Sequence, residues 1–152
     1  MIGHVILDCD GVLTDGKQYI GPDGQKMFKA FHSRDIKAIR YLVNLGIPVT
    51  VVSADDWPGA VAWCLRAGAD YVNARDKLAA VDRLTGNDTG EYAAVGDDAW
   101  DVPVLSVVRF PFCPADAEPC VKALDGMTVL PAKGGRGVVA ALVHTLKEWQ
   151  VL

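Results

Sequence analysis

A chain of 152 residues, 51% of them apolar, has the length of one ordinary domain and enough hydrophobic side chains to bury a core. Charged residues make up 22% and mean hydropathy is +0.18, which excludes the weakly hydrophobic, highly charged regime of disordered chains. A formal net charge of −4 gives no basic footprint for nucleic acid, whose phosphates attract clustered Lys and Arg, so a small substrate is expected.

No run approaches the roughly 18 consecutive apolar residues of a bilayer span. Met1-Ile2-Gly3-His4-Val5 shows no basic leader ahead of a hydrophobic stretch. The expectation is one soluble cytoplasmic domain over residues 1-152, with no membrane partner. Cys9, Cys64, Cys113 and Cys120 show neither paired spacing nor a histidine set for zinc, and read as reduced thiols. Cys9 lies between two acidic residues; filling a tight loop is its first reading and inactivating oxidation the second.

Short apolar runs alternate with amphipathic stretches of helical length, the pattern of parallel strands joined by crossover helices. A first strand at Val5 to Asp8 is followed by Lys17 to Ile20 and Gln25 to Phe31, which flank Gly21-Pro22-Asp23-Gly24 and predict a β-hairpin. Next comes a helix over Asp35 to Leu45, with Ser33 as its cap and Gly46 as its stop. Strands at Pro48 to Ser53, Tyr71 to Val72, Tyr92 to Val95, Val107 to Phe110 and Met127 to Leu130 follow. They alternate with helices at Pro58 to Ala67, Lys77 to Leu84, Val102 to Ser106, Glu118 to Ala123 and Gly137 to Trp149. Pro58 suits a first helical turn. The class is α/β: a three-layer, doubly wound parallel sheet with a hairpin flap after the first strand and no room for a large cap domain.

In such a sheet ligands collect at the carboxyl ends of the strands, and here those ends are acidic. The first strand runs into Asp8-Cys9-Asp10-Gly11-Val12-Leu13-Thr14-Asp15-Gly16, the second ends at Ser53, and the fourth runs into Gly96-Asp97-Asp98-Ala99-Trp100-Asp101. Lys77 opens the helix after the third strand. Several carboxylates on one sheet edge repel one another unless a cation joins them, and oxygen-only donors favour Mg²⁺. Asp8 and Asp97 are the expected direct ligands, with the Asp10 carbonyl as a third. Asp98 and Asp101 are further metal-site candidates, for which helix capping competes with an outer-sphere contact.

An aspartate can also attack phosphorus and form an aspartyl-phosphate, which water then hydrolyses. Asp8 is the candidate nucleophile and Asp10 the acid and base, placed to protonate the leaving alkoxide and later to deprotonate the water. Ser53 and Lys77 would hold the phosphoryl oxygens. Taken singly, Ser53 or Lys77 is more simply a cap or a solvated charge; the whole set, in phase with the strands, favours chemistry.

These residues resemble the four motifs of the haloacid dehalogenase (HAD) superfamily, in order: Asp8-x-Asp10-Gly11-Val12-Leu13-Thr14-Asp15-Gly16, Ser53, Lys77, and Gly96-Asp97-Asp98-x-x-Asp101. Within it the chain looks most like the small, capless 3-deoxy-D-manno-octulosonate 8-phosphate phosphatases and the related domain fused to some sialic acid cytidylyltransferases. That likeness rests on Phe31-His32-Ser33-Arg34-Asp35, Pro114-Ala115-Asp116-Ala117 and Gly134-Gly135-Arg136-Gly137-Val138, and runs from about Val5 to about Leu146. The resemblance implies a sugar-acid phosphate substrate and a homotetramer in which the hairpin, 17-31, packs on a neighbouring subunit and helps close the site. It also implies that His32 faces the site, although a lone histidine between strand and helix is more often structural; no catalytic role is assigned to it.

Two departures are expected to line the substrate side, and an arginine lost there removes a charge-assisted bond to a sugar-acid carboxylate, so a substrate other than an octulosonate is part of the expectation. Ser53-Ala54-Asp55-Asp56 stands where relatives usually have Thr or Ser followed by Gly-Arg, and Ile36-Lys37-Ala38 replaces a Gly-rich start after Arg34-Asp35. Arg34, Lys133 and Arg136 are the cations left to bind substrate. Three other readings compete: a polynucleotide 3′-phosphatase, a phospho-acceptor signalling module, and a catalytically weak domain kept for oligomerisation. The acidic balance argues against the first. Placing the acceptor on the first strand, with Asp10 two residues on, argues against the second, and the intact motif set against the third.

Overall fold

The computed structural model describes residues 1–86 and 90–152. β1 (His4–Leu7) and β4 (Val49–Ser53) are almost wholly buried, as central parallel strands covered on both faces must be. With β5 (Asp70–Asn73), β6 (Tyr92–Val95), β7 (Phe110–Cys113) and β8 (Thr128–Val129) they form a six-stranded parallel sheet in the order β5-β4-β1-β6-β7-β8. The chain starts at the middle, winds outward to β5, then returns to lay β6 on the other side of β1. Its direction of winding therefore reverses between β1 and β6, where a crevice opens at the strands' carboxyl ends. Leu7 pairs with Val95, so Asp8 and Gly96-Asp97 leave the sheet side by side.

Successive residues of each strand feed opposite layers. Val5 and Leu7 join Ile39, Leu42, Leu142 and Leu146 in the core under α1 (Ser33–Asn44), α2 (Pro58–Ala67) and α6 (Val138–Glu148). Ile6 joins Val52, Val81, Ala94, Leu105 and Val121 under α3 (Lys77–Thr85), α4 (Val102–Leu105) and α5 (Pro119–Lys122). The three-layer α/β class is as read from the sequence, and no large cap domain is present among the described residues. The insertion after β1 is the hairpin of β2 (Tyr19–Ile20) and β3 (Lys26–Phe28), in which Tyr19 pairs with Phe28 and their rings stack at 4.5 Å.

Three expectations are corrected. Ser33 is the first helical residue rather than the cap; the His32 ring Nδ1 accepts the Arg34 N–H at 3.2 Å and does the capping, which gives that histidine a structural role. The seventh strand is Phe110–Cys113, not Val107 to Phe110. The backbone N–H groups of Val107 and Val108 turn back onto the Val104 carbonyl, prolonging the end of α4, and Pro111, despite lacking a donor, sits within the strand opposite Ala94. Ile36 and Ala38, expected on the substrate side in place of a Gly-rich start, instead pack on the core and do not line the cleft, because α1 turns that face toward the sheet.

α6 begins at Gly137, which has no side chain with which to cap it. Asp35 supplies the cap from α1: its Oδ1 accepts the Ala140 N–H at 3.0 Å, while Oδ2 has no partner and the residue is fully buried. Burial pushes this carboxyl up to about 6, against the pull of the Ala140 N–H. The folded form thus holds a proton that the unfolded chain has already released between about pH 4 and 6. Stability should fall as pH rises through that window, and a pH series of urea denaturation should show a shallower fall for Asp35→Asn than for the parent.

Candidate active site

Asp8, one residue past β1, lies buried at the winding reversal. Its Oδ1 is 2.7 Å from the Nζ of Lys77, which α3 presents from its first position behind an Asp76 cap. The same ammonium is 2.7 Å from Asp101 Oδ1. Asp101 Oδ2 accepts the backbone N–H groups of Asp97 (2.8 Å) and Asp98 (3.4 Å), so this buried carboxylate fixes both the lysine and the loop after β6. Oxygens of Asp8, Asp97 and Asp101 lie within 4.8 Å of one another.

Three carboxylates here face one ammonium. Burial and then Asp101 push Asp8 well above the usual carboxylate range, with Lys77 pulling the other way. Asp97 is pushed up to about 7 by burial and by its neighbours Asp101 and Asp98. Burial alone would lower Lys77, but Asp8 and Asp101 outweigh it and hold the ammonium firmly charged. Asp97 Oδ1 is buried without a hydrogen-bond partner. An orphaned carboxylate oxygen beside two further acidic oxygens, with no nitrogen or sulfur donor in the group, is what a hard divalent cation requires.

The loop geometry protects this approach. Gly11 has φ of +91°, and a Cβ there would lie 1.9 Å from Asp97 Oδ2, so a larger residue would displace the carboxylate. Gly134 packs in turn on Gly11, where a Cβ would sit 2.2 Å from the Gly11 carbonyl oxygen, and its own N–H donates to Asp116 Oδ1 at 2.9 Å. The Pro114-to-Ala117 and Gly134-to-Val138 segments are thus a brace behind the first acidic loop.

A cleft of about 390 Å³ opens over the group and is lined by Asp8, Asp10, Ser53, Ala54, Asp55, Arg75, Lys77, Asp98 and Trp100. All four residues read as catalytic, Asp8, Asp10, Ser53 and Lys77, therefore meet on one cavity. Asp97 and Asp101 lie within reach of Asp8 without lining the cleft, and Asp98 lines its wall with its Oδ1 engaged by the Trp100 N–H at 2.8 Å. Arg34, Lys133 and Arg136 are exposed and are not among the lining residues. Cys9 is fully buried and burial raises its thiol strongly, which favours the filler reading over oxidation.

Sequence reasoning missed Lys29, Arg75 and Trp100 as site residues; Asp55 it noted as part of the departure after Ser53, which does line the cleft, but not its pairing with Lys29. Lys29, just past β3, is fully buried and donates to Asp10 Oδ2 at 2.6 Å and to Asp55 Oδ2 at 2.5 Å. The two carboxylates outweigh the desolvation that would otherwise lower it and keep it cationic. Asp55, despite partial burial, is held down to about 2 by Lys26 and Lys29. Only the hairpin's return path brings Lys29 to Asp10, and no local pattern encodes that meeting.

A reversed-winding parallel sheet with a buried aspartate at the end of its first strand, a lysine against it and an acidic loop opposite defines a HAD-type hydrolase. The chain is 34% identical to the 3-deoxy-D-manno-octulosonate 8-phosphate phosphatase KdsC of Yersinia pestis, over 89% of this chain and 74% of that protein. It is also 34% identical to KdsC of Haemophilus influenzae, over 98% and 84%. Among solved structures, the cobalt-bound form of the Haemophilus influenzae deoxy-D-mannose-octulosonate 8-phosphate phosphatase superposes with a TM-score of 0.87 at 32% identity, covering 98% of this chain and 89% of that one. No family model matches the chain. On these likenesses the chain belongs to the KdsC family of HAD phosphatases.

Because Asp97 must shed its proton to serve a cation, metal binding should strengthen as pH rises through about 7. Added Mg²⁺ should raise the melting temperature more at pH 8 than at pH 6. Asp97→Ala should remove most of the shift at both.

Proposed function

We propose that this chain is a Mg²⁺-dependent phosphate monoester hydrolase acting on a sugar-acid phosphate of the 3-deoxy-D-manno-octulosonate 8-phosphate kind, through an aspartyl-phosphate. The observation that carries the reading is Asp8 itself: a buried carboxylate on the cleft floor, held at 2.7 Å by Lys77 and adjoined by the orphaned oxygen of Asp97. The KdsC relatives support the reaction and the substrate class.

In this reading Asp8 attacks phosphorus while the ester P–O bond breaks, and Asp10 gives its proton to the departing alkoxide oxygen. Water then attacks the acyl phosphate, Asp10 takes the water's proton, and Asp8 leaves as carboxylate with inorganic phosphate as the product. Ser53 and Lys77 hold the phosphoryl oxygens and offset charge that builds in the transition state. Asp8, the carbonyl of Asp10 and Asp97 would hold the metal, with Asp98 and Asp101 reaching it through water. The metal would supply charge neutralisation that lets an anionic carboxylate approach an anionic ester. Arg34, Lys133 and Arg136 would engage the outer part of the sugar acid; Lys133 and Arg136 flank the glycines that brace the first acidic loop.

The 152 residues would work as one catalytic domain in a cytoplasmic homotetramer. Tyr19, Ile20, Met27 and Phe28 are each at least 41% exposed on the hairpin, an apolar surface that supports the subunit contact. Among the described residues no helix is long and apolar enough to cross a membrane. The acidic lining of the cleft gives no support to a polynucleotide substrate.

Phosphate release from 3-deoxy-D-manno-octulosonate 8-phosphate should require Mg²⁺ and stop with EDTA. Asp8→Asn should retain the melting temperature but lose turnover by at least roughly 1,000-fold, as loss of a nucleophile does. Turnover in that variant near the parental rate would remove Asp8 from its role. Light scattering should report four subunits for the parent, and Met27→Asp with Phe28→Asp should release smaller species.

A further inference from the structure

Resting on the reading of Asp10 as acid and base, the geometry points to Lys29 as its positioning residue, seated in a charge chain that ties the hairpin to the reacting centre. Four observations converge. Lys29 is fully buried, yet it is placed between two carboxylates rather than in the apolar core. Asp10 Oδ2 takes the Lys29 ammonium at 2.6 Å and Oδ1 takes the Thr14 hydroxyl at 2.9 Å, so the carboxylate that receives the water's proton has one seat; in the acid form the Thr14 hydroxyl turns and leaves Oδ1 to the proton while Lys29 keeps its hold on Oδ2. Asp55 grips Lys29 from the far side at 2.5 Å and also pairs with Lys26 of β3.

Asp55 is itself fixed: its Oδ1 accepts the Trp57 N–H at 3.0 Å, its own N–H donates to Ser53 Oγ at 3.2 Å, and its carbonyl accepts the Tyr71 hydroxyl. The chain Lys26–Asp55–Lys29–Asp10–Thr14 therefore spans the hairpin, the loop after β4 and the loop after β1. Any tilt of the hairpin that withdraws Lys29 releases Asp10 from one of its two tethers. Proton transfer needs donor and acceptor within hydrogen-bond reach, so a carboxyl free to rotate loses rate without losing substrate affinity.

The test is a double-mutant cycle of Lys29→Met and Asp10→Asn with a sugar-acid phosphate and with p-nitrophenyl phosphate. For Lys29→Met, kcat on the sugar-acid phosphate should fall roughly 100-fold, the lower end of what a general acid contributes, with KM nearly unchanged. The aryl ester needs no proton for its leaving group, so the first step survives: nitrophenol should appear as a burst of about one equivalent per active site, followed by slow turnover at the water step. Adding Lys29→Met to Asp10→Asn should cost little more, because the lysine acts through the aspartate. Asp55→Asn, which keeps Lys29, should show the same pattern at smaller amplitude and controls for misfolding, as does the burst amplitude itself.

Additive losses in the cycle, equal losses on both esters without a burst, or a parental kcat in Lys29→Met would each overturn the proposal. Full activity of Asp10→Asn alone would instead overturn the acid-base reading beneath it, so the two failures are distinguishable.

Discussion

Mutual repulsion among Asp8, Asp97 and Asp101 is the constraint around which the molecule is arranged. Carboxylate oxygens within 4.8 Å of one another, largely out of water, cannot all ionise without a compensating cation. Lys77 answers part of that demand by touching two of the three at 2.7 Å. The remainder is left standing, and it is visible as the raised carboxyls of Asp8 and Asp97 and as the Asp97 oxygen that bonds to nothing. A site tuned for a divalent ion and a dianionic ester is unfavourable when bare, so the scaffold around it must be stable on its own account.

That scaffold supplies stability where the charges do not. The two apolar layers keep β1 and β6 in register, which sets the spacing of Asp8 and Asp97, and neither layer draws on the acidic residues. Close packing then sharpens the arrangement. Asp97 approaches the first acidic loop only because Gly11 has no Cβ, and that loop is backed by Gly134 and Gly135, whose own approach leaves no space for side chains. Asp116 and Asp35 extend the brace by fastening the Gly134 N–H and the start of α6. Carboxylates thus serve two purposes here: Asp35, Asp116 and Asp101 accept backbone N–H groups and hold the frame, while Asp8 and Asp97 face the site, where Asp97 Oδ1 is left without a partner.

What could be read directly from the residues divides along the same line. The strands and most helices were legible because apolar periodicity reports burial, and burial in a parallel sheet is nearly complete. Asp8, Asp10, Ser53 and Lys77 were legible because each sits at a strand end or helix start that the periodicity had already located, and the structure brings all four to one cleft. Errors arose where local signals misled: the apolar Val107-to-Phe110 run reads as a strand though its start prolongs α4, and Ser33 offered a better cap on paper than His32. Lys29, and its pairing with Asp55, were beyond reach for a different reason. Their meeting depends on how far the hairpin folds back over the sheet edge, a distance that no spacing along the chain expresses.

The hairpin consequently carries two demands that meet in one short element. Its strands present Tyr19, Ile20, Met27 and Phe28 to solvent, and a two-stranded ribbon of this size is at best marginally stable on its own. Its inner end delivers Lys26 and Lys29 to Asp55 and Asp10, bonds that hold only while the ribbon is seated. An ion pair sheltered from water is stronger than one exposed to it, so a cover on the hairpin that also excluded water from the partly exposed Asp10, Asp55 and Lys26 would strengthen the charge chain. If a second subunit packs on the hairpin, as proposed, seating the ribbon and fixing the Asp10 carboxyl become one physical event, and the site of a small, capless phosphatase would be completed on assembly.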